Sequence, residues 1–131
     1  PDRARQIKPA LEFLYASDLP VYSSSKIYNG IQHSDLDRDL SGIIFTAMPW
    51  TFAGYLSTEL SSDKTMHTAY RQLYAMGYDA FLVHRNIDNL QLEPKMPLFG
   101  STGILTLEDG VVKRKTQWGE FQQGKARPLT R

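Results

Sequence analysis

A continuous run of mostly apolar residues, Ile43-Ile44-Phe45-Thr46-Ala47, is the strongest constraint on how this chain folds. Met48-Pro49-Trp50 follows the run, and a proline ends a strand because it cannot donate a ladder hydrogen bond. An uninterrupted apolar strand is typical of a parallel sheet that helices cover on both faces. The run therefore predicts an α/β fold.

The N-terminal segment supplies a helix and a second strand for that sheet. Pro9 interrupts the helical pattern, so we expect the helix to begin near Lys8 or to be kinked there. Leu19-Pro20-Val21-Tyr22 follows as a short buried strand, which makes the αβ half of a parallel unit. The apolar stripe of the helix consists of Ile7, Ala10, Leu11 and Leu14.

Two helices are predicted in the middle of the chain. Caps at Ser61 to Asp63 indicate a helix that runs through Met76, and Gly77 is well placed to end it. Asp79 could then cap a second helix from Ala80 to about Ile87, which would form an αα unit. Asn89 to Pro97, with two prolines, is expected to be an irregular connector.

Strand periodicity replaces helical periodicity from Phe99 onward. The segments Ile104 to Leu107 and Val111-Val112 flank Asp109-Gly110, a combination that predicts a hairpin with a tight turn. Weaker strand patterns lie on both sides of Gln123-Gly124. The C-terminal third is therefore expected to be β-structure.

Composition excludes several classes of function. The chain has 131 residues, which is room for one domain, and its net charge of +1 argues against nucleic acid or an anionic membrane as the main partner. It has no cysteine, so disulfides and thiolate metal sites are excluded. No apolar run reaches the length of a membrane span.

Three motifs imitate catalytic or ligand sites. Ser23-Ser24-Ser25-Lys26 contains the S-x-x-K pattern of acyl-serine enzymes, but the S-D-N and K-T-G partners are missing. Asp35 to Asp39 begins like a calcium loop, yet Leu40 and Thr46 stand where glycine and glutamate are required. We therefore expect these aspartates to be solvated loop or cap residues. Gly100-Ser101-Thr102-Gly103 lacks the strand-to-helix setting of a phosphate-binding loop.

The histidines show no metal-ligand or catalytic spacing; they are His33, His67 and His84. Without a nucleophile, base and orienting group in one pattern, the sequence predicts no enzyme, no metal and no cofactor. Aromatic and hydroxyl side chains do gather where predicted strands end, at the edge where α/β sheets bind ligands. The candidates for a cleft or ligand site are Tyr22, Ser23, Ser24, Ser25 and Trp50. Core packing is the alternative explanation of the aromatic residues.

Several segments resemble, in order, the C-terminal end of the LpoA (LppC) family of Gram-negative lipoproteins. They include LPVYSSSKIYNG, DLSGIIFTAMPW, RQLYAMGYDAFLV and FGSTGILTLEDGVVKRKTQWGEFQQGKARPL. The resemblance implies part of a two-lobed fold like that of type I periplasmic binding proteins, with a C-terminal hairpin crossing between lobes. Residues 1–60 would form one lobe, 61–98 helices of the other, and 99–131 the hinge hairpin and terminal strands.

The resemblance also implies a function. The family's proteins are outer-membrane lipoproteins that face the periplasm, and they bind a class A penicillin-binding protein and activate its transpeptidase without being enzymes. The lipid anchor would lie outside these residues. We expect the isolated chain to pair with other chains or to leave apolar edges exposed.

Two other functions stay open at this point. The fold alone would suit a periplasmic small-molecule sensor or solute-binding protein, since fold does not fix function. An acyl-serine enzyme rests only on the S-x-x-K pattern, and covalent labelling by a β-lactam would test it. Two exposed segments, Lys26 to Arg38 and Lys113 to Lys115, are unranked candidates for the partner surface.

Overall fold

The computed structural model describes residues 2–52 and 68–129. The chain divides into two compact units. Unit 1 comprises Pro1–Ala47 and Gln117–Arg131, and unit 2 comprises Met48–Thr116. The sequence placed its divisions near residues 60 and 98, and that assignment of lobes stays a prediction.

Helices and strands alternate in the first part of the chain and strands dominate the last third, so the predicted α/β class is confirmed. In chain order the elements are α1 (Asp2–Phe13), β1 (Val21–Ser23), β2 (Ile43–Ala47), α2 (Thr68–Arg85), α3 (Ile87–Leu92), β3 (Leu98–Phe99), β4 (Ile104–Glu108), β5 (Val111–Lys115), β6 (Gln117–Gln122) and β7 (Lys125–Pro128). No helix in the described ranges is both long and apolar enough to cross a membrane.

The sheet of unit 1 is mixed, with the strand order β1-β2-β6-β7. β1 and β2 are parallel, as predicted, whereas β6 pairs with both β2 and β7 in the antiparallel direction. Gln123 and Gly124 form the β6–β7 turn with φ angles of 51° and 74°. Two positive φ angles suit the right-handed twist of a tight hairpin, so this weaker strand prediction is confirmed.

The core of unit 1 lies on one face of that sheet. Phe45 and Phe121 pack with ring centroids 4.9 Å apart, and Tyr28 lies 5.9 Å from each of them. Burial, followed by the nearby charge of Asp37, raises the pKa of Tyr28. Along β2, buried residues alternate with half-buried ones, so the apolar run does not give equal burial on both faces.

Helix α1 begins at Asp2, so the first of the two expected alternatives, a start near Lys8, is wrong, and a kink there stays a prediction. Pro9 lies inside the helix, where it has no N–H to donate and its ring crowds the carbonyl of Arg5. The apolar stripe is not buried, because Ile7 is 48% exposed and Leu14 is 68% exposed. This exposure fits the expectation of uncovered apolar surface.

An ion pair inside unit 1 joins α1 to the loop before β2. The Arg5 guanidinium donates from Nη2 to Oδ1 of Asp37 at 2.8 Å, and this hydrogen bond raises the pKa of Arg5. Oδ2 of Asp37 also accepts the main-chain N–H of His33 at 3.1 Å. Asp37 is only 4% exposed, so it is not solvated; of the two expected roles it has the other, since it is the N-cap residue of the 3-10 turn Arg38–Leu40. A buried charge needs such partners because it has lost its water.

Unit 2 contains the antiparallel sheet β3-β4-β5. Asp109 and Gly110 connect β4 to β5 with φ angles of 51° and 75°. These angles fit the two-residue hairpin turn that Asp-Gly favours, and the predicted hairpin is confirmed.

Helix α2 runs without a break from Thr68 to Arg85, so Gly77 does not end it and Asp79 does not cap a second helix. Glycine in a helix costs only about 1 kcal/mol relative to alanine, which packing elsewhere on the helix can offset. α3 (Ile87–Leu92) occupies part of the predicted connector. The predicted start at Ser61 to Asp63 lies outside the described residues.

Replacing Gly77 by alanine tests the continuity of α2. Gly77 has helical backbone, and no atom of the described residues lies within 4 Å of an added Cβ. We expect Gly77→Ala to raise the free energy of unfolding by about 0.5–1 kcal/mol, measured by urea denaturation. The control is Gly110→Ala, which also meets no atom but has φ +75°, and it should lower stability. A destabilising Gly77→Ala would indicate that the helix ends at Gly77.

The two ion pairs of Arg5 test whether burial makes one of them more important for stability than the other. Asp2 and Asp37 both lie 2.8 Å from Arg5, but their side chains are 89% and 6% exposed. We expect Asp37→Ala to lower the free energy of unfolding by clearly more than Asp2→Ala, because it removes the buried acceptor of two hydrogen bonds, from Arg5 and from the His33 main chain. Asp2→Ala should cost less than about 1 kcal/mol, as exposed pairs do. Equal losses for the two variants would contradict the burial of the Arg5–Asp37 pair.

Candidate functional site

Four of the five candidate residues lie together at the carboxyl end of β1, in unit 1. Tyr22 is 60% exposed, and its ring meets the ring of Trp118 edge-on, with centroids 6.4 Å apart. Ser23 ends the strand and is half-buried, whereas Ser24 and Ser25 are exposed in the turn that follows. The strand end therefore presents an aromatic pair beside hydroxyl groups, which suits a binding surface.

Trp118 is a member of this surface that the sequence did not single out. It stands on β6, and its cross-strand partner is Thr46 of β2. Tyr22 pairs in register with Ile44, so both aromatic side chains belong to the same face of the sheet. The sequence signal for Trp118 was the period-2 strand pattern around it. That pattern does not show that β6 pairs with β2, because the whole of unit 2 lies between these two strands in the sequence.

The fifth candidate, Trp50, lies in unit 2, in the 3-10 turn Pro49–Thr51. Its main-chain N–H donates to the carbonyl of Ser101 at 3.2 Å, and the Arg71 guanidinium lies 5.8 Å from its ring centroid. Its indole Nε1 is buried and has no hydrogen-bond partner within residues 2–52 and 68–129. A site that combines Trp50 with the β1 end stays a prediction.

The loop that holds Trp50 is itself held by a buried carboxylate. Asp79, 5% exposed, accepts the main-chain N–H groups of Ser101 at 2.6 Å and Thr102 at 2.8 Å. The hydroxyl of Thr102 donates to the same carboxylate at 2.6 Å. A Cβ at Gly100 would come within 2.7 Å of it, so a side chain there would displace the carboxylate. We call Asp79 with residues 100–103 the carboxylate anchor.

The carboxylate anchor explains the sequence Gly100-Ser101-Thr102-Gly103. Its main-chain N–H groups do bind an anion, but the anion is the chain's own Asp79 rather than a phosphate. This interaction is internal and consistent with the prediction that the loop is not a phosphate site. The sequence signals for the carboxylate anchor were a polar loop rich in glycine and an aspartate inside a helical pattern. No local pattern in the sequence indicates that the two are in contact.

The polar side chains that directly follow β1 are exposed hydroxyl groups and the amine of Lys26. Among the residues that the structure describes, no three histidine or acidic side chains are grouped to hold a metal ion. Lys26 of the S-x-x-K pattern is exposed, as are Ser24 and Ser25. Aromatic faces and hydroxyl groups at a strand end can bind by packing and hydrogen bonding.

Loss of the Asp79 charge should weaken unit 2. Asp79→Asn keeps the shape but turns an amide NH2 group towards a set of donors, so we expect a loss of about 2 kcal/mol of unfolding free energy. Asp88→Asn, at an exposed position of α3, is the matched control and should change stability by less than about 0.5 kcal/mol. Thermal or urea denaturation measures both. Indistinguishable effects would count against the carboxylate anchor.

Comparison with known proteins places these features in a family. The family model "LppC putative lipoprotein" matches residues 1–124. Penicillin-binding protein activator LpoA of Klebsiella pneumoniae is 29% identical, over 99% of this chain and 19% of the relative. LpoA of Dickeya chrysanthemi is 30% identical, over 99% of this chain and 20% of the relative. The chain thus spans about a fifth of the length of these curated relatives.

A solved structure shows the same arrangement of elements. The LpoA (YraM) C-domain of Haemophilus influenzae, described as a regulator of PBP1A, superposes with a TM-score of 0.74 at 26% identity. The match covers 96% of this chain and 41% of that domain. Since the family model covers nearly all of the sequence, this chain belongs to the LppC family.

Proposed function

We propose that this chain is part of a non-catalytic regulator of peptidoglycan synthesis, which binds a class A penicillin-binding protein and activates its transpeptidase. The observation that carries the proposal is the match along residues 1–124 to the LppC family, whose similar members are named penicillin-binding protein activators. The alternative of a small-molecule sensor gains no support from these names.

The proposed location rests on the same family match. A lipoprotein family supports a place in the cell envelope, and we propose the periplasmic face of the outer membrane as the specific site. A non-catalytic role agrees with relatives named as an activator and a regulator.

Within this function, we propose that the β1 end contributes to the partner surface. Tyr22 and Trp118 are exposed by 60% and 43%, and aromatic side chains of this kind are enriched where protein partners meet. The neighbouring hydroxyls of Ser24 and Ser25 can donate and accept hydrogen bonds to a partner's main chain. Trp50, in unit 2, is a second proposed contact.

Purified components test the proposal. The 131-residue chain is added to the periplasmic region of a class A synthase, and binding is measured by calorimetry together with the rate of peptide cross-linking. We expect saturable binding and a faster cross-linking rate. Tyr22→Ala should weaken binding by about tenfold, as loss of an aromatic contact does. Tyr74→Ala, at an exposed tyrosine of α2, is the control and should leave the affinity unchanged.

Absence of binding together with an unchanged cross-linking rate would refute the proposed function. Binding that Tyr22→Ala and Tyr74→Ala reduce equally would retain the function and reject the β1 end as the contact.

A further inference from the structure

The last strand of the unit 2 sheet has a free edge. β5 pairs with β4 on one side, and no described strand pairs with it on the other. All five of its residues, Val111–Lys115, are exposed. The edges of the unit 1 sheet are less suited to pairing, because β1 has three residues and β7 carries Pro128 and the buried Ala126.

The turn geometry determines which main-chain groups point outward. A two-residue turn makes Glu108 and Val111 a hydrogen-bonded pair, and such pairs alternate along an antiparallel ladder. Lys113 therefore directs its N–H and C=O groups towards β4. Val112 and Arg114 direct theirs away from β4, to the free edge. The edge thus offers two sets of donor and acceptor at the spacing that another strand needs.

The charge on β5 selects the partner. Lys113, Arg114 and Lys115 are consecutive, and both ion pairs found in the described residues belong to Arg5 instead. A second copy of β5 would bring like charges opposite each other, which disfavours pairing between copies. An acidic strand would place opposite charges there and gain from each pair.

We propose that the free edge of β5 binds an extended acidic peptide segment of a protein partner by strand addition. Main-chain hydrogen bonds at Val112 and Arg114 hold the segment, and the three basic side chains select its acidic residues. The proposal deepens the proposed function, on which it rests, because it assigns the partner a surface and a chemistry.

A substitution at Val112 separates strand addition from simple charge attraction. The probe is a short N-acetylated peptide that alternates glutamate and threonine, and calorimetry measures its affinity for the full chain. Val112→Pro removes an outward N–H without touching a β4–β5 hydrogen bond, as prolines on edge strands do. We expect it to weaken binding by at least about tenfold, since an acceptor on the peptide loses its donor. Val112→Ala keeps the N–H and should bind like the unchanged chain.

Two further arms complete the test. Lys113→Glu with Lys115→Glu should also weaken binding by about tenfold or more. Polyphosphate, which has the charge but no peptide backbone, should bind the unchanged chain and the Val112→Pro variant equally. In amide hydrogen exchange on the unchanged chain, the peptide should slow the amides of Val112 and Arg114 and leave the already bonded Lys113 amide unchanged. The hydrogen-exchange measurement uses only the unchanged chain, so it tests the proposal even if Val112→Pro does not fold.

Equal peptide binding by Val112→Pro and Val112→Ala, with no slowing of the Val112 and Arg114 amides, would overturn the proposal and leave a general anion-attracting surface. Failure here is distinct from failure of the proposed function. If the synthase still binds and the peptide does not, only the β5 edge is rejected. If the synthase itself does not bind, the proposed function is rejected whatever the peptide does.

Discussion

A single buried carboxylate, that of Asp79, organises unit 2. It receives two main-chain N–H groups and one hydroxyl from residues 101 and 102, which lie between β3 and β4. Hydrogen bonds to an ionised carboxylate are about twice as strong as neutral ones. They therefore fix the loop to α2, and the loop carbonyl of Ser101 in turn receives the N–H of Trp50.

Unit 1 uses the same kind of interaction. Asp37 joins the Arg5 side chain and the His33 main chain, so a buried acid again holds a segment that has little regular structure. The apolar cores of the two units cannot do this, because packing does not specify where a polar loop lies. Each unit therefore holds one segment with little regular structure through a buried acid.

Local patterns allowed part of the fold to be predicted from the sequence. β2 and both hairpins followed from an apolar run, from period-2 alternation and from turns whose residues tolerate positive φ. The helix end at Gly77 was wrong because glycine costs a helix only about 1 kcal/mol, which packing along α2 can offset. The roles of Asp37 and Asp79 were not predictable, since their partners Arg5 and Ser101 lie 32 and 22 residues away. The same limit applies to the site, where Tyr22 was identified but its neighbour Trp118 was not.

The carboxylate anchor can be observed directly by solution NMR. Scalar couplings across hydrogen bonds connect an amide nitrogen with the carbon of its acceptor, and the couplings between β4 and β5 provide an internal reference. The structure predicts couplings from the amide nitrogens of Ser101 and Thr102 to the side-chain carboxylate carbon of Asp79. Their absence, in a sample that shows the β4–β5 couplings, would contradict the carboxylate anchor.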